Sequence, residues 1–229
     1  MTFELKKGGM RATAQTRGGE LVSLRDDEGL EYIWQGDPAY WTGQNPILFP
    51  IVGALKDGGV EIGGKRYEMG RHGFARGMEF TCADQGEDYV VLELRENEAT
   101  LGCYPFPFIL RVKHQLRHDG FSTSFTVVNT GTVPMPFCVG GHTAIRCPLR
   151  EGERFEDYEL LFDEPERADS HLLTPEGLIR HSGLRPMLEE GGRLPLDYSS
   201  FAEMDTLIFS MLRSGNVSLI HQRTGQGVQ

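Results

Sequence analysis

A period-two alternation of apolar and polar side chains, broken by glycine-containing turns, is the strongest constraint on how this chain folds. Val90, Leu92 and Leu94 fall on one side of an extended segment, and Glu93 and Arg95 fall on the other. Successive side chains of a strand point to opposite faces, so this pattern is typical of a strand with one buried face. The chain is therefore predicted to consist mainly of β-strands.

Three pairs of such segments are separated by short turns, which predicts three β-hairpins. The predicted turns are Asp119-Gly120, Gly63-Gly64 and Ser214-Gly215, where glycine accepts the backbone angles of a tight hairpin. The segments that flank these turns are residues 110–117 and 121–128, 60–62 and 65–69, and 206–212 and 216–221. Residues 152–197 are rich in charge, proline and glycine, with only short strand-like pieces such as Tyr158–Phe162. They are predicted to form long loops over the sheet.

The chain as a whole predicts one all-β domain. No long segment repeats apolar residues every 3.6 positions, and a length of 229 residues suits one large sandwich or barrel. No linker-like segment interrupts the strand pattern, so we interpret residues 1–229 as a single domain.

The net charge of −10 argues against a nucleic-acid or anionic-membrane partner, because clustered Lys and Arg bind such partners. It favours a neutral substrate, or an anionic one held by a few local arginines. No apolar run reaches the ~18 residues that a membrane span needs, and residues 1–7 lack the apolar stretch of a signal peptide. We therefore expect a cytoplasmic location.

Four cysteines are spread widely along the chain and form no Cys-x-x-Cys pair. They are Cys82, Cys103, Cys138 and Cys147. Disulfides are rare in a reducing cytoplasm, so we predict four free thiols that are buried or half-buried.

Two histidines stand beside glycines in turn-like segments. His142 follows Gly140 and Gly141, and His72 precedes Gly73. Glycine allows a positive φ or a close approach to a ligand, and histidine exchanges protons near neutral pH. From the residues alone, each histidine is either a turn residue satisfied by backbone groups or part of a polar cleft.

Arg71 and Arg76 flank His72 in sequence. They are either solvated surface charges or an anion-binding pair, because a guanidinium can hold a carboxylate or phosphate with two hydrogen bonds.

His114 and His118 lie four residues apart, a spacing that two metal ligands could use. No third ligand lies nearby in sequence, and the segment lacks the glutamate of a zinc-protease helix. A partly buried structural role is favoured over a metal site. The sequence contains no Gly-x-Ser-x-Gly motif, which argues against a serine hydrolase. Its Gly-Gly pairs form no phosphate-binding loop and are interpreted as turns.

Four ordered blocks of sequence resemble the aldose 1-epimerase family, and in particular its bacterial galactose mutarotase-like branch. The blocks are NPILFPIVG at 45–53, KDG at 56–58, RHGFAR at 71–76 and GGH at 140–142. The resemblance runs from near the N-terminus to Gln229. It implies a large antiparallel β-sandwich of the galactose mutarotase type, with a sugar cleft and with neither a metal nor a cofactor.

The chemistry of that family interconverts the α and β anomers of an aldose. A histidine protonates the ring oxygen while a glutamate removes the proton of the anomeric hydroxyl, and the opened sugar recloses from its other face. By motif position, the resemblance implies that His142 is the catalytic acid and that His72 hydrogen-bonds the sugar. Asp205 matches the substrate-binding aspartate of the family. The implied partner is a small sugar or sugar phosphate.

Three aromatic residues are candidates for packing against a sugar face, with core packing as the alternative role of each. They are Trp41, Tyr40 and Phe74.

The chain departs from the family pattern at two points. Galactose mutarotases carry an Asn-Arg pair shortly before the first hairpin, where this chain has Gly53-Ala54-Leu55. Arg76 or Arg71 is left as the candidate for contacting the sugar, and we select Arg76 as substrate-binding.

The second departure concerns the base. The family glutamate lies in an Ile-Glu-Pro-Trp-like segment of a C-terminal strand, and residues 1–229 contain no such segment; Glu164-Pro165 belongs to a charged region elsewhere. We expect the natural protein to continue beyond Gln229. Strand edges left unpaired without that hairpin would favour aggregation or a homodimer.

Three functions therefore stay open. The chain is a mutarotase, or it is a non-catalytic carbohydrate-binding or regulatory protein on the same scaffold, as the missing base suggests. The third alternative, a purely structural β domain, leaves the two glycine-flanked histidines unexplained. A fold by itself does not decide between them.

Overall fold

The computed structural model describes residues 1–188 and 191–229. Contacts within the chain divide it into two compact units, Met1–Arg146 and Cys147–Gln229. The expectation of one domain over residues 1–229 stays a prediction.

The first unit is built from strands joined by short turns. The strands are β1 (Thr2–Lys7), β2 (Met10–Gln15), β3 (Leu21–Arg25), β4 (Ile47–Leu48), β5 (Gly59–Ile62), β6 (Lys65–Glu68), β7 (Thr81–Gln85), β8 (Tyr89–Arg95), β9 (Phe108–Leu116), β10 (Phe121–Asn129) and β11 (Gly140–Gly141). All their pairings are antiparallel, in the orders β1-β2-β3, β10-β9-β8-β7, β11-β4 and β5-β6. Single turns of 3-10 helix lie at Lys56–Gly58 and Ala75–Gly77.

The core of this unit lies between the three-stranded and the four-stranded sheet. Leu5 and Ala12 face it from the first sheet, and Leu92, Leu110 and Val112 face it from the second. Their alternation along each strand gives both sheets one apolar face, and burying those faces against each other is what stabilises a sandwich. The sequence prediction of alternating strands on either side of Asp119-Gly120 is therefore confirmed, as is the hairpin at Gly63-Gly64.

One short helix, α1 (Glu98–Cys103), was not predicted from the sequence. Asn97 accepts a hydrogen bond from the N–H of Thr100, and the hydroxyl of Thr100 accepts one from the N–H of Asn97. This reciprocal cap satisfies two of the free donors at the helix start. A helix of 6 residues is too short to show a helical repeat in the sequence.

The second unit is also built mainly from strands. They are β12 (Tyr158–Phe162), β13 (Ala168–Leu173), β14 (Ile179–Leu188), β15 (Arg193–Pro195), β16 (Val217–His221) and β17 (Gly227–Val228). They pair in the orders β15-β12-β16-β17 and β13-β14, with 3-10 turns at Phe155–Asp157 and Tyr198–Phe201.

Two predictions for this unit are wrong. Residues 152–197 are not long loops, because they contain four of the strands just named. Of these four, only the piece at Tyr158–Phe162 was predicted, and it is confirmed as β12. Residues 206–212 form no strand, so the predicted hairpin at Ser214-Gly215 is absent from the described chain. Instead β16 pairs with β12, more than 50 residues earlier, and with β17. Such distant pairing leaves no local turn signal in the sequence.

The four cysteines are all free. Cys103 and Cys147 are half-buried as predicted, whereas Cys82 and Cys138 are exposed, so that part of the prediction is wrong for them. Within the described ranges, no helix is both long and apolar enough to cross a membrane.

His114 on β9 is a buried link between the two sheets of the first unit. Its Nε2 lies 2.8 Å from the carbonyl oxygen of Gly19, and its Nδ1 lies 3.0 Å from the hydroxyl of Thr123. A carbonyl can only accept, so Nε2 carries the proton and Nδ1 accepts from Thr123. The sequence predicted a partly buried structural role for both histidines. In the structure His114 is fully buried and His118 is exposed.

Burial lowers the pKa of His114 to about 4, so we expect acid to destabilise the fold through this residue. In the unfolded chain the same imidazole has a pKa of about 6.5. Below that pH the unfolded state takes up a proton that the folded state refuses, so stability is retained above pH ~6.5 and lost as the pH falls toward 4. Between pH 7 and pH 5, His114 should account for a loss of about 2 kcal/mol in the free energy of unfolding.

Urea unfolding of the wild type and of His114→Gln at the two pH values measures this contribution. The glutamine amide can donate to Gly19 but does not titrate. Between pH 7 and pH 5, the unfolding free energy of His114→Gln should therefore fall by about 2 kcal/mol less than that of the wild type. His118→Gln, which changes an exposed histidine, should follow the wild type. An equal loss in the wild type and in His114→Gln would contradict the prediction.

Candidate active site

A short extended segment around β4 lies between the two histidine loops and pairs with both. On one edge, β11 pairs with β4, and the N–H of His142 donates to the carbonyl of Pro46 over 3.1 Å. On the other edge, Phe49 forms a parallel bridge to Gly73, and its carbonyl accepts from the N–H of Phe74 over 3.0 Å. This segment therefore brings together two loops that lie 70 residues apart in the sequence.

His142 lies at the end of β11 with its side chain exposed. Its ring centroid lies 6.0 Å from that of His72, edge to face, and 5.2 Å from that of Trp41. The two histidines predicted from the sequence are therefore neighbours. Trp41, one of the three predicted aromatic candidates, lies beside them.

His72 is held in one orientation by Gly53. The N–H of His72 donates to the carbonyl of Gly53 over 2.8 Å, and the N–H of Gly53 donates to Nδ1 of His72 over 3.0 Å. Because a backbone N–H can only donate, Nδ1 must be the accepting nitrogen and the proton of the neutral ring must be on Nε2. The geometry defines His72 as a neutral imidazole that donates through Nε2.

Electrostatics act on His72 in the same direction. Burial lowers the pKa of His72 below its ordinary value, and the nearby charges of Arg71, Arg76 and His142 lower it further. A lowered pKa keeps the ring neutral near pH 7. Protonation would also remove the acceptor that the N–H of Gly53 requires.

The backbone at His72 is unusual. Its φ is +68°, a left-handed conformation that residues other than glycine rarely adopt, and the φ of Gly73 is +74°. Strained backbone of this kind is concentrated at functional sites, where the surrounding structure imposes it.

Arg71 and Arg76 are both exposed beside His72. The Nη2 of Arg76 donates to the carbonyl of Arg71 over 3.1 Å, which ties the two ends of this loop together. The predicted anion-binding pair therefore lies close to His72 in a protein whose net charge is −10.

The other aromatic candidates are placed differently. Phe74 packs against Phe49 and Phe108 with ring centroids 6.0 Å and 5.9 Å away, so it is a partly buried residue packed on the core. Tyr40 is 83% exposed.

Asp205 lies in the second unit, exposed in an irregular segment just before residues 206–212. Glu164, also in the second unit, is exposed, and its N–H donates to the hydroxyl of Ser214 over 3.1 Å.

Sequence reasoning did not single out three residues that hold this site together. Gly53 fixes the ring of His72, and Asn45 accepts a hydrogen bond from the hydroxyl of Thr143, next to His142, over 2.8 Å. Asn45 and Gly53 belong to the sequence block at 45–53, but their contacts depend on pairing across 98 and 19 residues, respectively. A single sequence does not reveal such pairing.

The aldose 1-epimerase family profile matches residues 1–174 of the chain. The chain belongs to the aldose 1-epimerase family. The plasmid-encoded protein LacX of Lactococcus lactis subsp. lactis is 40% identical over 236 residues, an alignment that covers all of this chain and 79% of LacX.

Solved structures agree with this aldose 1-epimerase assignment. A galactose mutarotase related enzyme from Lactobacillus acidophilus superimposes with a TM-score of 0.88 at 30% identity, over 97% of this chain and 74% of that one. A galactose mutarotase-like protein from Lactobacillus casei superimposes with a TM-score of 0.89 at 29% identity, over 97% of this chain and 76% of that one. The predicted all-β sandwich of the galactose mutarotase type is thereby confirmed.

The epimerase scaffold depends on glycine at position 73, which gives a prediction about the site. A Cβ added to Gly73 would lie 2.2 Å from the carbonyl oxygen of Phe49, at a φ of +74°. We expect Gly73→Ala to lower the free energy of unfolding by about 2 kcal/mol or more, because both the contact and the φ are unfavourable.

Gly70→Ala is the matched control, since an added Cβ there meets nothing within 4 Å. It should change stability by no more than about 0.5 kcal/mol. Urea unfolding of both variants measures the difference, and equal stabilities would contradict the tight approach of Gly73 to Phe49.

Proposed function

We propose that this protein is an aldose 1-epimerase that interconverts the α and β anomers of a hexose or a hexose phosphate. The observation that carries the proposal is the pair of unlike imidazoles, a neutral donor at His72 beside an exposed ring at His142. Opening a pyranose ring requires a proton at the ring oxygen and removal of one from the anomeric hydroxyl. Positioned acids and bases are the groups that lower the barrier for such transfers.

His142 is proposed to supply the proton to the ring oxygen, while a glutamate, the base implied by the family resemblance, takes the proton of the anomeric hydroxyl. No glutamate within residues 1–229 is assigned that role. Its ring is exposed between Trp41 and His72, so a sugar can reach it from solvent. His72 is proposed to donate through Nε2 to a sugar oxygen, because its Nδ1 is already occupied by Gly53. A donor whose orientation is fixed before the substrate arrives needs little reorganisation during the reaction.

Arg76 and Asp205 are proposed to bind the substrate. Arg76 is exposed and anchored by its bond to the carbonyl of Arg71, which suits it to an anionic substituent such as a 6-phosphate. Asp205 is proposed from the family resemblance, and a carboxylate there would accept hydrogen bonds from sugar hydroxyls.

A second candidate function is non-catalytic sugar binding or regulation on the same scaffold. The observation that favours it is the exposed ring of Trp41 beside His142, together with the fixed Nε2 donor of His72, because these groups could bind a sugar without converting it. The cytoplasmic location, a possible homodimer and the lack of nucleic-acid and membrane partners stay predictions.

Anomer exchange measured by NMR separates the two functions. The 229-residue chain would be mixed with a panel of free and 6-phosphorylated hexoses, and exchange would be compared with the spontaneous rate. Exchange above that rate supports the epimerase. Line broadening of a sugar without exchange supports the binding protein. If neither exchange nor line broadening is observed, both functions are contradicted.

His142→Ala is expected to reduce the catalysed exchange by about 10²- to 10⁴-fold, the contribution typical of a general acid. Sugar affinity should change much less, because a hydrogen bond to a neutral sugar contributes only about 1 kcal/mol. His118→Ala, at an exposed histidine on the β9–β10 turn, serves as the control. Full exchange activity in His142→Ala would rule out the acid role.

Arg76→Ala is expected to weaken binding of a 6-phosphorylated hexose by about 10- to 100-fold, and that of the neutral hexose far less, because a charge-assisted hydrogen bond contributes about 1.5–3 kcal/mol. Arg117→Ala removes an exposed arginine from the β9–β10 turn and controls for the change in net charge. Titration calorimetry with both sugars measures the effect. Equal losses for the two sugars would argue against phosphate recognition by Arg76.

A further inference from the structure

The strand that carries His142 keeps one register over five successive residue pairs. Gly140 lies opposite Leu48 and Gly141 opposite Ile47. The pairing continues beyond β11, because the N–H groups of His142 and Ala144 donate to the carbonyls of Pro46 and Gln44 over 3.1 and 2.9 Å. This register places Thr143 directly opposite Asn45.

The side chains of that pair bond to each other. The hydroxyl of Thr143 donates to Oδ1 of Asn45 over 2.8 Å, and Nδ2 of Asn45 donates to the carbonyl of Leu21 over 3.2 Å. Asn45 is 2% exposed. Its amide therefore connects the histidine strand to the start of β3.

Alternation along a strand gives this bond a consequence for His142. Thr143 and Asn45 share one face of the paired strands, so His142 is directed to the other face. A slip of one residue would exchange the two faces and turn the imidazole away from His72 and Trp41. The bond between Thr143 and Asn45 opposes that slip.

Asparagine suits this position because its side chain must accept from one partner and donate to another. Aspartate can only accept, which would leave the carbonyl of Leu21 without its donor, and an apolar residue can do neither. Losing a partner of a buried polar group costs about 1–3 kcal/mol, so the demand on position 45 is specific.

Asn45 is also connected, through Glu20, to the loop of residues 71–76 that carries Arg71 and Arg76. The N–H of Asn45 donates to Oε2 of Glu20 over 3.3 Å. The pKa of Glu20 is raised by burial, and this bond and the charges of Arg17 and Arg76 offset only part of that rise. Glu20 is thus close enough to Arg76 to interact with its charge.

We propose that Asn45 is a positioning residue for His142, acting through Thr143 to fix the face and the orientation of the imidazole. Only the expected effect on kcat rests on the proposed epimerase function. The placement of the imidazole is a property of the folded protein whether or not it turns over a sugar.

The test combines two readouts on Asn45→Asp, Thr143→Val and Thr143→Ser. The first is the imidazole resonances of His142 in ¹H–¹³C NMR spectra, assigned by their absence from His142→Ala. The second is the catalysed anomer exchange. We expect Asn45→Asp and Thr143→Val to shift the His142 resonances and to lower kcat by about 10- to 100-fold with little change in KM, because a small misplacement of a catalytic group has that effect.

Thr143→Ser keeps the hydroxyl donor and should restore both readouts to nearly wild-type values. Asn129→Asp is the matched control, because Asn129 also donates and accepts through its amide, to Val133 over 2.7 Å and from Gly131 over 2.9 Å. It lies exposed at the end of β10 and should leave both readouts unchanged.

Unchanged His142 resonances in both Asn45→Asp and Thr143→Val would overturn the proposal. If Asn45→Asp fails to fold, Thr143→Val decides alone, since Thr143 is exposed and its hydroxyl is replaced by a methyl group of similar size. If the wild type exchanges no anomers, the proposed function fails, and the NMR shifts still decide the positioning role.

Discussion

Backbone hydrogen bonds on the two edges of residues 44–50 are the interaction on which the candidate site depends. One edge holds the segment that carries His142, and the other holds the segment that carries His72. These bonds are made by main-chain atoms, so they do not specify which side chains stand between them. The specificity comes from positions where only one residue type fits, above all Gly73 against the carbonyl of Phe49.

Two arginines lie close to His72 in a protein that is acidic as a whole. Burial and the charges of Arg71 and Arg76 lower the pKa of His72. Burial raises the pKa of Glu20, and the charges of Arg17 and Arg76 oppose that rise. Positive charge at this place, within a net charge of −10, would favour the anionic group of the proposed hexose phosphate. It also keeps a neighbouring imidazole neutral.

Local sequence predicted the parts of the fold that local interactions decide. The turns at Asp119-Gly120 and Gly63-Gly64 join strands that are adjacent in the chain, so glycine and alternation were sufficient signals. The second unit was predicted poorly because β12 takes its neighbours from β15 and β16. Its strands lie among charged residues, prolines and glycines, which are typical of loops.

In the candidate site, too, local sequence predicted some features, while others depend on pairing between distant strands. The four sequence blocks led to His72, Arg76 and His142, and the structure brings these three into one unit. It does so through contacts that no short segment contains. Asn45 meets Thr143 across 98 residues, and the cap on Nδ1 of His72 comes from Gly53, 19 residues earlier. The chemistry of single residues could be inferred from the sequence, whereas the groups that orient them required the strand pairing.

The two hydrogen bonds between Gly53 and His72 also make the imidazoles of His72 and His142 unequal as nucleophiles. In the neutral ring of His72 the single σ lone pair is on Nδ1, and the N–H of Gly53 occupies it, while Nε2 carries the proton. An electrophilic reagent therefore finds no free lone pair on that ring unless the backbone bond opens. Two histidines whose rings lie 6.0 Å apart thus differ in reactivity because of one main-chain amide.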